Sequence, residues 1–453
     1  MTTAKELGAV AAKSSYPDTK SRSAALYERA LRVMPGGNSR TTVYFPPYPV
    51  YATKAQGSRV WDADGVERID LINNYSSLIH GHNHPRIVAA VIEQADKLLS
   101  VALPTEAEVR LAEIIVGRLP SVEMVRFCNS GTEGVIMAIK AARAFTGRPK
   151  IAKVEGAYHG SGDTASVSVA PSPERWGDSD EPASVEGAGS GPGAAADVVV
   201  IPMNDAANAR KIIRKHAAQL AGIIIDPLVS GLGYALASRE FLATIQAETR
   251  ACGALLIFDE VYSLRLGFNG AQGELGVNPD LTAMGKIIGG GLPVGAVGGR
   301  AEIMAKVFDP RNPGRVSHGG TFNANPMTMA AGAVAMELFD REAFERLTRL
   351  SDRLRQGLRE AVKIARVPGM VRGEASMTAL FHLDTDVRTY RDIVNARRSN
   401  AQSGERAEKF FRYMLNHGIL MGAPGLFVLS TANTEDEIDY TVETSLAALR
   451  TME

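Results

Sequence analysis

Met124-Val125-Arg126-Phe127-Cys128-Asn129-Ser130-Gly131-Thr132-Glu133 sets a β-prone run against a small polar turn, and a helix-forming stretch follows to Phe145, closed by Gly147. Strand, turn and helix in that order open a βαβ unit. Working outward, further strands are expected at 151–154, 198–201, 222–225 and 254–258. Helical and β segments alternate from about 105 to 300, the pattern of a mainly parallel sheet covered by helices, so the expected class is α/β. Upstream, Thr105 with Glu108 has the form of a capping box ahead of Val109, Ala112, Ile115 and Val116, read as a single apolar helix face.

The flanks read differently. After Asn325, Phe344, Leu347, Leu350, Leu354, Leu358 and Val362 mark one face of a long helix ending before Pro368. Strands at 378–383 and 426–430 and a capped helix at Thr434 with Glu437 follow, which suits a smaller α+β domain. The N-terminal arm, with a helix over 24–33 and a strand at Val60 and Trp61, is expected to join it. The division is therefore 1–70, an arm and part of the small domain; 71–324, a large α/β domain; and 325–453, the rest of the small domain. Residues 171–196 are rich in Ser, Gly, Pro, Asp and Ala, which reads as a surface insertion, a disordered loop or a mobile lid.

The chain has 453 residues, with 50 Lys plus Arg against 50 Asp plus Glu. That balance provides no field to draw nucleic acid or an anionic membrane surface. Residues 1–23 lack the apolar core of a signal peptide and no later stretch is long enough to span a bilayer, so a cytoplasmic location is expected. Cys128 and Cys252 are too few for a disulfide framework or a zinc site. Glycine, at 44 residues, is the skewed count, and its clusters suggest close approach of backbone to a ligand.

Three features carry chemistry. The Ser130-Gly131-Thr132 turn points helix N–H groups at its entrance and suits a phosphate, although the same residues serve as a plain N-cap. The strand ending in Phe258-Asp259-Glu260-Val261 puts carboxylates where open α/β sheets hold ligands; a cap, a metal ligand or a salt bridge are the alternatives. Lys286, in Gly285-Lys286-Ile287-Ile288-Gly289-Gly290-Gly291, sits among small and apolar residues, and burial lowers an amine's basicity towards the nucleophilic form. Ile287 excludes a phosphate-binding loop of the Walker type, and no dinucleotide fingerprint is present. His80, His82 and His84 alternate in a way that suggests a metal site, but no carboxylate or Cys stands nearby at ligand spacing, and a loop turned by Gly81 and Pro85 is the better reading. Together, a phosphate turn, a sheet-edge Asp and a semi-buried Lys are what pyridoxal 5'-phosphate needs.

The chain also resembles a known family, the class III, fold type I pyridoxal-phosphate aminotransferases, and within it glutamate-1-semialdehyde aminomutase and the β-amino-acid (β-phenylalanine) aminotransferases. The resemblance runs from Met34-Pro35-Gly36-Gly37-Asn38-Ser39-Arg40 to the C-terminal helix. Its blocks include Gly81-His82-Asn83-His84-Pro85, Asn129-Ser130-Gly131-Thr132-Glu133, Gly156-Ala157-Tyr158-His159-Gly160, Phe258-Asp259-Glu260-Val261, the Lys286 block and His318-Gly319-Gly320-Thr321-Phe322.

That resemblance implies that Lys286 is the Schiff-base lysine and Asp259 the partner of the pyridinium nitrogen. Ser130, Gly131 and Thr132 would hold the phosphate, with Tyr158 and Val261 on the two ring faces. Thr321 would reach the phosphate of a neighbouring subunit, making a homodimer with shared sites the functional unit. Arg40 would bind a substrate carboxylate as in the β-amino-acid branch, Tyr75 would line the pocket, and Arg265 follows that branch's spacing without an evident role. The implied activity is transfer of an amino group from a small carboxylate-bearing amine, foremost a β-amino acid, to a 2-oxo acid; an aminomutase reaction, with 171–196 as its lid, is the alternative. Two departures bear on the substrate: Ile225-Asp226-Pro227 stands where the family writes Val-Glu-Pro, and Ala423-Pro424-Gly425 where β-phenylalanine aminotransferases carry a carboxylate-binding arginine.

Overall fold

The computed structural model describes residues 15–191, 193–423 and 425–452. Its centre is a seven-stranded sheet in the order Met124–Cys128, Gly295–Gly299, Leu281–Gly285, Leu255–Asp259, Leu220–Ile225, Lys150–Val154, Val198–Ile201. Gly295–Gly299 runs antiparallel to both of its neighbours, and the other described ladders of the sheet are parallel. Helices cover both faces, so the inner strands read as unbroken apolar runs such as Gly222-Ile223-Ile224-Ile225 rather than alternating ones.

Register decides where the chemistry goes. Phe258 pairs with Ile225 and Asp259 with Ala283 across parallel ladders. The strand ends that carry Asp226, Asp259 and Lys286 are therefore brought to one edge of the sheet, the carboxyl edge. Beside them starts the helix Gly131–Thr146, whose N-cap Ser130 accepts a hydrogen bond from the Glu133 N–H and whose C-cap Gly147 is left-handed.

A second layer combines both ends of the chain. Ala52–Gln56, Arg59–Asp62 and Glu67–Asp70 form a sheet with Ile419–Leu420, and Met370–Arg372, Met377–Phe381 and Leu426–Val428 form another. The helix Arg341–Ala365 buries Leu347, Leu350, Leu354 and Leu358 against a core shared with Ile438, Ala448 and Leu449 of the helix Glu435–Arg450. Thr434 and Glu437 form the expected capping box.

Several expectations are corrected. Thr105 makes no side-chain cap bond, and the helix Glu106–Arg118 buries Leu111 and Ile115 while Val109 is 53% and Val116 36% exposed. The apolar residues fall on two faces rather than one. The strands Leu281–Gly285 and Gly295–Gly299 were not legible, and in the second Gly and Ala make up four of five residues. Packing explains the composition: a Cβ on Gly295 would lie 1.8 Å from the Ser130 carbonyl oxygen, so only glycine lets the Ser130 turn settle on this strand. The described part of 171–196 is anchored, with Trp176 buried and its indole donating to the Pro171 carbonyl at 2.8 Å. Among the described residues, no helix is long and apolar enough to cross a membrane.

Candidate active site

At the carboxyl edge of the large sheet lies a cavity of about 820 Å³. Ser130, Gly131 and Thr132 line it from the helix start, and Asp259, Val261 and Lys286 from the strand ends. Tyr158 joins from the loop after Lys150–Val154, and Arg40 and Tyr75 from the N-terminal segment. Thr321 is exposed and does not line the cavity. Neither do the described residues of 171–196, so no lid over the cavity is formed by them here.

Each side chain is placed by identifiable forces. Lys286 has a left-handed backbone (φ +50°), a conformation that costs energy in a non-glycine residue and clusters at functional sites. Its ammonium nitrogen lies 4.6 Å from the centre of the Tyr262 ring. Burial lowers its basicity from 10.5 to about 8, against the opposing pull of Asp259 and Asp226. Asp259 is 5% exposed; one oxygen accepts the Val261 N–H at 3.1 Å and the other meets His159 Nδ1 at 2.7 Å. Asp226 is buried beside it, and burial followed by the charge of Asp259 raises its carboxyl well above the ordinary range. A Cβ on Gly131 would come within 2.4 Å of Val261 Cγ1, so the turn and the valine close on each other with no room to spare.

The wall that carries Arg40, Asn74 and Tyr75 is built on an uncommon turn. Asn73, Asn74, Tyr75 and Ser76 all have positive φ, between 47° and 75°. Asp70 accepts the N–H groups of Ile72 and Asn73, and Asn73 Nδ2 donates to the Val428 carbonyl at 2.7 Å. Arg265, fully buried, donates to the Ser76 carbonyl at 3.1 Å, to Ser376 Oγ at 2.7 Å and to the Leu429 carbonyl. Its role is thus to lock the turn to the C-terminal layer. The turn presents Asn74, whose side-chain oxygen accepts from Arg40 Nη1 at 2.7 Å, and Tyr75, whose hydroxyl donates to the Thr42 carbonyl.

Sequence reading missed three residues of the cavity wall. His159 stands in a quoted block, but only the fold shows it against Asp259. Tyr234 and Tyr262 lie with ring centres 6.2 Å apart and planes tilted by 32°. The close-approach reading of the glycine run needs revision: Gly291 lines the cavity, but Gly289 and Gly290 pack on Val294 and Ala331 of the protein itself. The alternating histidines have separate partners, His80 on Thr431 and the Ala335 carbonyl, His82 on Asp70. Pro424 lies outside the described residues, and Ala423 lines a different cavity, beside Tyr16 and Phe411.

A helix N-terminus, a buried carboxylate for a protonated ring nitrogen and an amine of lowered basicity are the groups pyridoxal 5'-phosphate requires, and these residues fit it. The family model described as Aminotransferase class-III matches residues 43–439. The chain belongs to the class III aminotransferases. These are pyridoxal-phosphate enzymes, and this one has their fold type I architecture. Among solved structures, an omega-transaminase from Sphaerobacter thermophilus is 46% identical with a TM-score of 0.92, covering 96% of this chain and 98% of its own. A β-phenylalanine aminotransferase from Variovorax paradoxus is 34% identical with a TM-score of 0.85, covering 99% and 97%. Among curated proteins, glutamate-1-semialdehyde 2,1-aminomutase 2 of Exiguobacterium sibiricum is 37% identical over 435 residues, 94% of this aminotransferase and 96% of the relative.

Proposed function

We propose that this class III aminotransferase moves an amino group from a β-amino acid to a 2-oxo acid. The observation that carries the reading is Arg40, a guanidinium lining the same cavity as Lys286 and suited to grip a carboxylate in two-pronged fashion. The likeness to the β-phenylalanine enzyme supports it. So do the Tyr75, Tyr234 and Tyr262 rings, which offer an aromatic wall to a donor side chain.

When bound, pyridoxal phosphate supplies an aldehyde for the donor's amine and a ring that delocalises electrons. The protein's part is assigned as follows. Ser130, Gly131 and Thr132 hold the phosphate; Tyr158 and Val261 flank the ring. Asp259, kept in place by His159 and the Val261 N–H, holds the proton on the ring nitrogen. Lys286 would hold the cofactor through its side-chain nitrogen and would move a proton to and from the reacting carbon, for which an amine of basicity near 8 is well matched to neutral pH. Arg40 sets the distance between carboxylate and amine and thereby selects the β position.

The working unit is assigned as a homodimer. Thr321 lies outside its own chain's cavity, available to a partner, and Leu99, Leu103 and Phe322 are 65%, 71% and 60% exposed. A panel of α-amino acids, β-amino acids and simple amines, offered with pyruvate or 2-oxoglutarate, tests the reading. β-Amino acids should be the best donors and release a free keto product. Failure to turn over any β-amino acid would sink it. The curated aminomutases at 36–37% identity favour a second reading, intramolecular transfer; isomerised product formed without a 2-oxo acid and without free keto compound would establish it.

A further inference from the structure

The strand Lys150–Val154 contains a residue that stability alone does not explain. Lys153 is 1% exposed, and in the ladder it is paired with Val200 on one side and Ile224 on the other. Among the described residues, no carboxylate forms an ion pair with it. Instead its ammonium donates to two backbone carbonyls, Ala157 at 2.8 Å and Val167. Burying an amine without a counter-charge is unfavourable, and an apolar side chain of similar volume is commonly the more stable choice. Burial lowers its basicity to about 7.

The two carbonyls bracket residues 158–166, and immediately inside the bracket are Tyr158 and His159. His159 Nδ1 is 2.7 Å from Asp259, whereas its Nε2 is buried with no partner. The imidazole is therefore held from one side only, and its backbone must be fixed by something else. We propose that Lys153 is a positioning residue of the cofactor site, clamping the Ala157 and Val167 carbonyls so that His159 is seated against Asp259. The charge of Lys153 also opposes protonation of His159, which burial already disfavours. A neutral imidazole donating through Nδ1 leaves Asp259 ionised for the ring nitrogen.

This inference rests on the cofactor reading above, so its test reads cofactor retention. Equilibrium dialysis of the holoprotein against pyridoxal 5'-phosphate is carried out for wild type, Lys153→Met, His159→Gln and the double variant. Lys153→Met should raise the dissociation constant about tenfold, the order expected for one charge-assisted hydrogen bond felt through a neighbour. In the His159→Gln background the same change should be below about threefold, since its route is already cut. A rise below about threefold in the wild-type background, or the full effect repeated without His159, overturns the proposal. Lys153→Gln, without charge, is judged by the same two comparisons if the Met variant does not fold. Wild-type protein that fails to retain the cofactor would instead overturn the reading of the site, a distinct result.

Discussion

Replacing Lys286 by Met should destroy the activity and yet stabilise the cofactor-free protein. Burial lowers this amine from 10.5 to about 8, and each tenfold change in proton affinity is worth about 1.4 kcal/mol. Below pH 8 the lysine is charged in both native and unfolded chains, so the native state carries the whole penalty of about 3 kcal/mol. Between about 8 and 10.5 the native protein gives up the proton while the unfolded chain still binds it, so stability rises with pH; above 10.5 the penalty is gone. Met removes the titration and keeps the volume. It forfeits the contact with the Tyr262 ring at 4.6 Å, worth about 0.5 to 1 kcal/mol. The net gain near neutral pH is therefore about 2 to 3 kcal/mol, shrinking through the alkaline range. Urea unfolding of both cofactor-free proteins, at one protein concentration and across that range, measures the difference. Groups away from this site, Lys153 included, titrate alike in both proteins and cancel, whereas Asp226, whose carboxyl the Lys286 charge lowers, titrates higher in the Met variant. A Met variant that unfolds at lower urea than wild type near neutral pH, or whose advantage does not change with pH, would refute the reasoning.

Arg40→Ala should raise KM for carboxylate-bearing donors about tenfold to hundredfold, the worth of a charge-assisted pair, and leave simple amines little changed; equal effects on both, in steady-state kinetics, would remove Arg40 as the anchor. Gly131→Ala forces its methyl onto Val261, 2.4 Å away, and the strain should weaken cofactor retention about tenfold without abolishing folding, as read by dialysis and circular dichroism. Leu103→Glu places a charge on an uncovered apolar position, 71% exposed; sedimentation should show a shift from dimer to monomer with lost activity, and an unchanged dimer would mean that this face is not the interface.

What was legible in the sequence was what local pattern encodes. Ser130-Gly131-Thr132 between strand and helix, Asp259 at a strand end and Lys286 in its small-residue setting line one cavity. Apolar runs marked the inner strands because both faces of the sheet are covered. Other features depend on distant partners. Gly295–Gly299 looks like a loop until the helix turn resting on it is seen. Val109 and Val116 read as core because nothing in their spacing tells a buried face from an exposed apolar one. Trp176 anchors a segment whose composition suggests disorder, through a bond to Pro171 and a place in the core. The pairing of His159 with Asp259 spans 100 positions and carries no local mark.

The guanidinium of Arg265 also has a temporal meaning. Its acceptors lie on Ser76, Ser376 and Leu429, as far as 189 positions away along the chain. On the ribosome, the first of these emerges well before the arginine and the last well after it, so the left-handed turn has no complete lock until Leu429 has left the tunnel. Domains tend to mature in the order in which they leave the tunnel. A nascent chain thus has its large-sheet strands in hand before the turn that carries Asn74 and Tyr75 is set.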